Sequence, residues 1–278
     1  MFIGAFIVWE VRQKNRGGAS LMDPAMLRVR EVKIGLPLTA IQSFMMSGAL
    51  FVIPVFEQIA LGYSPVMTGL TFLPNTIAMI LVSQIAGRQA AKRGRKPFVV
   101  AGLGCMAVAI IMIAVVASSH ARFWVFLPWT LLMGTGLGTV MEPLMDVVQS
   151  SVAPERQSEI SGVNRSVFNL GGSLGTALAG AVLMAVLISG LTGLINQSKV
   201  LSAENKKQAI AAVQKGAQTM SDIQLKQLLD RLHKTGPVEQ ALVTINANAR
   251  NKALRVALAV VGIVGLLGFA LSFRLPKT

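Results

Sequence analysis

Apolar residues along this chain come in blocks rather than at alternating intervals. Ile34 to Ile59, Val66 to Ala86, Pro97 to Ala117, Phe123 to Val148, Ile160 to Leu191 and Ala253 to Phe273 each hold about 20 or more mostly apolar residues, enough helix to cross a hydrocarbon core about 30 Å thick. The short alternating segments of a membrane β-barrel are absent. A span must close its backbone hydrogen bonds internally, so the pattern predicts an all-α membrane protein with six complete transmembrane helices. A partial one precedes them: Met1 to Trp9 is apolar, stops at Glu10 and lacks the basic start and cleavage site of a signal peptide. It reads as the end of a truncated span, or as an interfacial anchor. Prolines inside the blocks, such as Pro37, Pro54 and Pro74, predict kinks rather than breaks.

The polar intervals orient the blocks. Gly87 to Lys96 holds five cationic side chains in ten residues and no acid. Each would cost roughly 2.5 to 3.5 kcal/mol at the bilayer centre, so this stretch is predicted to be a loop at a membrane surface, and its charge places it on the cytoplasmic side. Residues 10–33 are then a cytoplasmic loop, as are Ser150 to Glu159 and the tail 274–278. Residues 192–252 form a long extracytoplasmic loop, in which Leu225, Leu228, Leu229 and Leu232 predict an amphipathic helix. The chain is thus expected in the cell inner (plasma) membrane, multi-pass, with a cytoplasmic C-terminus.

Composition narrows the class further. Of 278 residues, 53% are hydrophobic and 14% charged, and the mean hydropathy is +0.61, which excludes an ordinary soluble domain. A net charge of +14 would suggest nucleic acid in a soluble chain; here the cations flank spans, where they set topology and meet anionic lipid heads. The single cysteine, Cys105, lies in an apolar block and predicts core packing. His120 and His233 fall in outer loops without a converging acid and nucleophile, and no phosphate-binding glycine loop occurs, so neither an enzyme, a cofactor nor a metal is expected.

Glu142 and Asp146 are four residues apart on one helix face, near the cytoplasmic end of their block. Intramembrane acids are candidates for function; this pair reads as a gate network, as a proton-coupling site, or as interfacial solvation. Glu57, near the outer end of its block, reads as solvated at the surface or as a cavity acid. Gln42, Asn75, Gln84, Asn164 and Asn169 either bond between helices or contact a ligand, and Asn164 also reads as a residue facing the cytoplasmic gate. Phe44 and Met45, with Met46, Phe51 and Phe72, read as ordinary packing or as a polarizable wall for apolar cations. The glycines at 134, 136, 138, 171, 175, 262, 265 and 268 predict close helix packing.

The stretch Gly87, Arg88, Ala91, Lys92, Arg93, Gly94, Arg95, Lys96 resembles the signature loop between the second and third helices of each half of the major facilitator superfamily. That pattern runs Gly, three variable residues, Asp, Arg, one variable residue, Gly, Arg, then Arg or Lys. Ala91 stands where the pattern has Asp. Two further stretches are similar to the C-terminal half of the fourteen-helix drug:proton antiporters: Trp9, Glu10 and Arg12 with Asp23, Pro24, Met26, Leu27 and Arg28, and Ser161, Gly162, Asn164 and Arg165 with Leu170 to Gly175. The resemblance implies that the first, second, fourth and fifth complete spans line a central cavity, which makes Gln42, Phe44, Met45, Asn75, Gln84, Asn164 and Asn169 candidates for substrate contact. It also implies that the loop borrows an acid in place of the one lost at Ala91. Equal depth on antiparallel helices suggests a pair between Asp146 and Arg165, with Glu142 facing Arg88, Lys92 or Arg93.

The function this implies is transmembrane transport: half of a proton-coupled multidrug efflux antiporter working by alternating access, incomplete alone. Its partners would be a small drug-like molecule, protons, the lipid bilayer, and a missing N-terminal half or a second copy, with no nucleic acid. Two alternatives stay open, a non-transporting scaffold whose outer loop binds a partner and a half-size carrier acting as a homodimer.

Overall fold

Proline, serine and glycine punctuate the first helices of this protein. The computed structural model describes residues 24–116, 123–214 and 236–276. The partial span 1–9, His120, His233 and the helix expected around Leu225 to Leu232 lie outside them. A short 3-10 turn, Pro24–Arg28, leads through extended Val29 into α1, Arg30–Ile59. Gly62, with φ of 67°, turns the chain. Ser64 then caps α2, Pro65–Arg93, its hydroxyl accepting the Met67 N–H at 3.2 Å while Pro65 fills the first turn. Gly94, at φ of 89°, ends that helix in a conformation that L side chains rarely adopt. The remaining helices are α3, Lys96–Val116, α4, Phe123–Gln149, α5, Gln157–Gln197, α6, Ala203–Gln214, and α7, Pro237–Ser272, with a 3-10 turn at Pro154–Arg156 before α5. No strand occurs among the described residues, and α1 to α5 and α7 are long and apolar enough to cross a membrane.

Two segments differ from the sequence reading. The cationic stretch is mostly not a loop: Gly87 to Arg93 continue α2, and the turn is confined to Gly94 and Arg95. Alanine, lysine and arginine are good helix formers, and cations at a helix C-terminus meet the negative end of its dipole. At 1.5 Å per residue α2 is about 44 Å long, so its last turns can extend beyond a core of about 30 Å without burying their charges. Likewise, α5 runs on to Gln197 and α7 starts as early as Pro237, lengths of about 62 and 54 Å. Leu191 and Ile195 of α5, Ile210 and Val213 of α6, and Leu242, Ile245 and Ala249 of α7 belong to or pack against one apolar core. Much of the expected long loop is therefore a helical projection.

Within the bundle the closest pairings are α2 on α4, α1 on α5, and α3 on α4, while α7 touches α1, α3 and α5. The pairing of α1 with α5 mirrors that of α4 with α2, and α1 on α7 mirrors α4 on α3. The contacts between the first three spans and the second three are thus paired, whereas within them α5 packs closely on α7 and α2 only lightly on α3. Glycines set the two principal crossings. A Cβ on Gly134 would overlap the Asn75 carbonyl of α2, and one on Gly175 would overlap the Phe44 carbonyl of α1. Lipid supplies no hydrophobic force between helices, so backbone approach of this kind replaces it. The core between them is filled by Met45, Leu103, Met106, Ile110, Ile113, Met133 and Leu137, all buried.

Candidate functional site: a polar groove and a cationic end

Alternate helix ends gather at one end of the bundle. The Gly94 turn brings Arg95 to α4, where its Nε donates to Asp146 Oδ2. Lys96 Nζ donates to the Phe273 carbonyl at 2.7 Å, tying the start of α3 to the end of α7. Arg88, Lys92 and Arg93 are exposed on the last turns of α2. Glu142, also exposed, lies beside Gly87: a Cβ there would stand 3.9 Å from Glu142 Cβ. The expected pair between Asp146 and Arg165 does not form. Asp146 binds Arg95, and the Arg165 guanidinium lies 5.5 Å from the centroid of the Phe168 ring on its own helix. The positive-φ turn explains the exchange, because it directs the residue after Gly94 back over α4. This acid on α4 pairs with a cation of a signature stretch that has none of its own.

A second feature lies between α1 and α5. Ser43, Ser47, Phe168, Asn169, Gly172, Ser173, Thr176 and Ala177 line a groove of about 640 Å³, open along one side. The sequence favours it locally: Ser43 and Ser47 are one turn apart on α1, as are Asn169 and Ser173 on α5, so each helix turns a polar stripe to the same cleft. Most of these hydroxyls are internally satisfied. Ser43 Oγ donates to the Phe168 carbonyl at 2.6 Å, Ser173 Oγ to Asn169 O at 2.9 Å, and Thr176 Oγ1 to Gly172 O at 3.2 Å. Their oxygens keep lone pairs for a ligand, and Asn169 is exposed to the cleft.

Toward the cationic end, Thr39, Gln42, Met141, Met145, Ser161, Asn164, Arg165 and Phe168 enclose a smaller pocket of about 80 Å³. Thr39, Gln42 and Asn164 are nearly fully buried, and Thr39 Oγ1, Gln42 Nε2 and Asn164 Oδ1 have no protein partner among the described residues.

The sequence candidates therefore separate. Gln42, Asn164 and Arg165 share the small pocket, and Asn169 lines the groove. Asn75 is buried where α2 crosses Gly134, and Gln84 is exposed on α2. Phe44 and Met45 do not reach the groove. They sit in the apolar core, Phe44 under Gly175 and the Met45 terminal methyl against Gly265. Glu57 is not solvated at the outer surface either: it is fully buried, and Thr71 Oγ1 lies 2.7 Å from its Oε2. Sequence reasoning missed Ser43, Ser47, Ser173 and Thr176. Their helical spacing was the available signal, submerged because serine and threonine are common in spans.

Comparison with known proteins places this architecture. The Major Facilitator Superfamily profile matches residues 4–176, more than half the chain. The probable actinorhodin transporter of Streptomyces coelicolor is 22% identical over 294 aligned positions, covering 98% of this chain and 51% of that protein. The tetracenomycin C resistance and export protein of Streptomyces glaucescens is 32% identical over 65% of this chain and 33% of its own length. The multidrug resistance protein Stp of Mycobacterium tuberculosis is 28% identical over 67% of this chain and 34% of its own. The chain thus spans about half or less of the length of these curated relatives. With six helices long enough to cross a membrane and a family profile that matches more than half its length, this chain belongs to the major facilitator superfamily.

Proposed function

We propose that this chain is the C-terminal half of a drug:proton antiporter of the fourteen-helix kind, exporting small drug-like molecules by alternating access. The observation that carries the reading is the α1–α5 groove, whose volume of about 640 Å³ falls in the range of roughly 300–1,000 Å³ typical of small-molecule sites. It has one wall only, and a first half, as the greater length of the relatives suggests, would supply the other. The relatives' names, which speak of transport, export and multidrug resistance, support a drug-like substrate. Asn169, Ser43, Ser47, Ser173 and Thr176 would offer polar contacts, and the Arg95–Asp146 pair would hold the cytoplasmic end closed. In this reading the cation-rich end and the C-terminus face the cytoplasm, in the inner (plasma) membrane.

The test is dye retention in an efflux-deficient bacterium. The host would express this chain alone, or together with the segment encoded immediately before Met1. The expected result is outward dye transport in the second case, abolished by a protonophore and weakened at least tenfold by Ser173→Leu, which fills the groove. Efflux by the chain alone at equal protein level would replace the missing-half arrangement with a homodimer. Absence of efflux in both, with both proteins in the membrane, would sink the reading.

A further inference from the structure

Glu57 is the one acid among the described residues that is fully buried, and its surroundings specify more than burial. It lies two residues from the end of α1 and faces α2. The Thr71 hydroxyl of α2 stands 2.7 Å from Glu57 Oε2 and also 2.7 Å from the Thr68 carbonyl oxygen. One hydroxyl carries one hydrogen. Were Glu57 a carboxylate, that hydrogen could serve only one of the two oxygens, and the other contact would bring lone pairs together at hydrogen-bond distance. Were Glu57 a carboxylic acid, its O–H would donate to Thr71 Oγ1 and the Thr71 O–H to Thr68 O, so both contacts would be bonds.

The electrostatic setting points the same way. Glu57 Oε1 has no protein partner among the described residues, and no cation there lies within ion-pair distance of the carboxyl group. Of the charged and titratable groups at this end, Arg250 of α7 donates its Nη1 to the Ile59 carbonyl at 3.3 Å and Tyr63, in the turn after α1, donates its backbone N–H to the Glu57 carbonyl at 3.0 Å, while Lys199, Glu204, Lys206, Lys207, Glu239 and Lys252 lie on the α5–α6–α7 projection. Arg250 lines a hollow with Val55, Phe56, Ile59 and Ala60, and no ion pair among the described residues joins it to Glu57. His120 and Arg122, which follow α3, lie outside the described residues. An unpaired buried carboxylate is costly, whereas a neutral acid that donates leaves only an uncharged carbonyl oxygen without a partner.

We propose that Glu57 is a proton-carrying site of this protein, loaded in the conformation described here and emptied when α1 and α2 part at this end. These two helices pack only lightly on each other, and the Glu57–Thr71 bond joins them. Loading takes one proton from water on the outer side to form the carboxyl O–H. Unloading breaks that O–H, returns the proton to water and leaves a carboxylate that Thr71 and water then solvate; no electrons move. The exchange of this proton for a drug rests on the antiport reading above, but the site itself does not.

Infrared difference spectroscopy on the complete 278-residue chain in lipid separates the two. At neutral pH the wild type minus Glu57→Gln difference should show a protonated carboxyl C=O band. Thr71→Val should move that band to higher frequency, and Thr71→Ser, which keeps the hydroxyl, should leave it in place. A difference spectrum with carboxylate stretches instead, in a Glu57→Gln protein of unchanged helical circular dichroism, would overturn the proposal. So would a band indifferent to Thr71→Val. In vesicles holding this chain together with the segment encoded before Met1, drug-induced proton release should disappear in Glu57→Gln. If the wild type shows the band but no drug-induced release, the proton site stands and the antiport reading falls.

Discussion

Asp146 and Arg165 illustrate how far residue-level reasoning reaches. Both were legible as charges near a helix end, and equal depth made them natural partners. What chain order could not supply was the backbone direction after Gly94, which sends Arg95 to Asp146 and leaves Arg165 against Phe168. The side chains of the Arg95–Asp146 pair are 26% and 52% exposed, so solvent screening limits the pair to about 0.2–1 kcal/mol of stability. A double-mutant cycle with Arg95→Ala and Asp146→Ala, read from thermal unfolding in detergent, should return a coupling of about that size. The cycle of Asp146→Ala with Arg165→Ala should be additive. Coupling confined to the second cycle would restore the partner first expected. Glu57 is the opposite case: its type and position were plain, but its burial depended on Thr68 and Thr71 arriving from another helix.

At the scale of elements, glycine position was readable and glycine partner was not. Gly134 and Gly138 on α4 meet α2, and Gly171 and Gly175 on α5 meet α1, in each case one turn apart. A side chain at these seams must displace a backbone carbonyl rather than a flexible side chain. Gly134→Val and Gly175→Val should therefore each destabilise the fold by about 1–3 kcal/mol or more, the usual cost of overpacking. Gly162→Ala, on α5 with nothing within 4 Å of the added carbon, should be neutral or up to about 1 kcal/mol stabilising, since alanine is the better helix former. Thermal unfolding of the three variants checks both, and equal effects at all three would remove the seam argument. The end of α2 carries a related lesson. Seven residues of the cationic stretch are helical because loop and helix differ there only in how far α2 projects past the core, which hydropathy does not register.

For the whole molecule, alternation of six spans puts the Arg95–Asp146 end and the chain end on one side and the α5–α6–α7 projection on the other. In a Cys105→Ala background, Lys199→Cys should react from outside intact cells with a membrane-impermeant maleimide, and Ser150→Cys only after the cells are opened. Reversed labelling would invert the topology. The apolar face of α2, where Leu70, Ile77, Leu81 and Ile85 are exposed, is what a membrane-spanning helix presents to lipid.

Sequence alone determined the class, the number of spans and the charge asymmetry, because these follow from block length and composition, quantities that do not depend on which helix packs against which. It also marked the acids and amides worth examining. Only the tertiary structure decided that the Ser43–Thr176 stripes form one cleft, that Phe44 and Met45 belong to the core, that Asp146 takes Arg95, and that Glu57 is enclosed against Thr71. Each of these is a relation between two helices distant in sequence. Its geometry is set by glycine-limited crossing and by one positive-φ turn, and no local pattern encodes it.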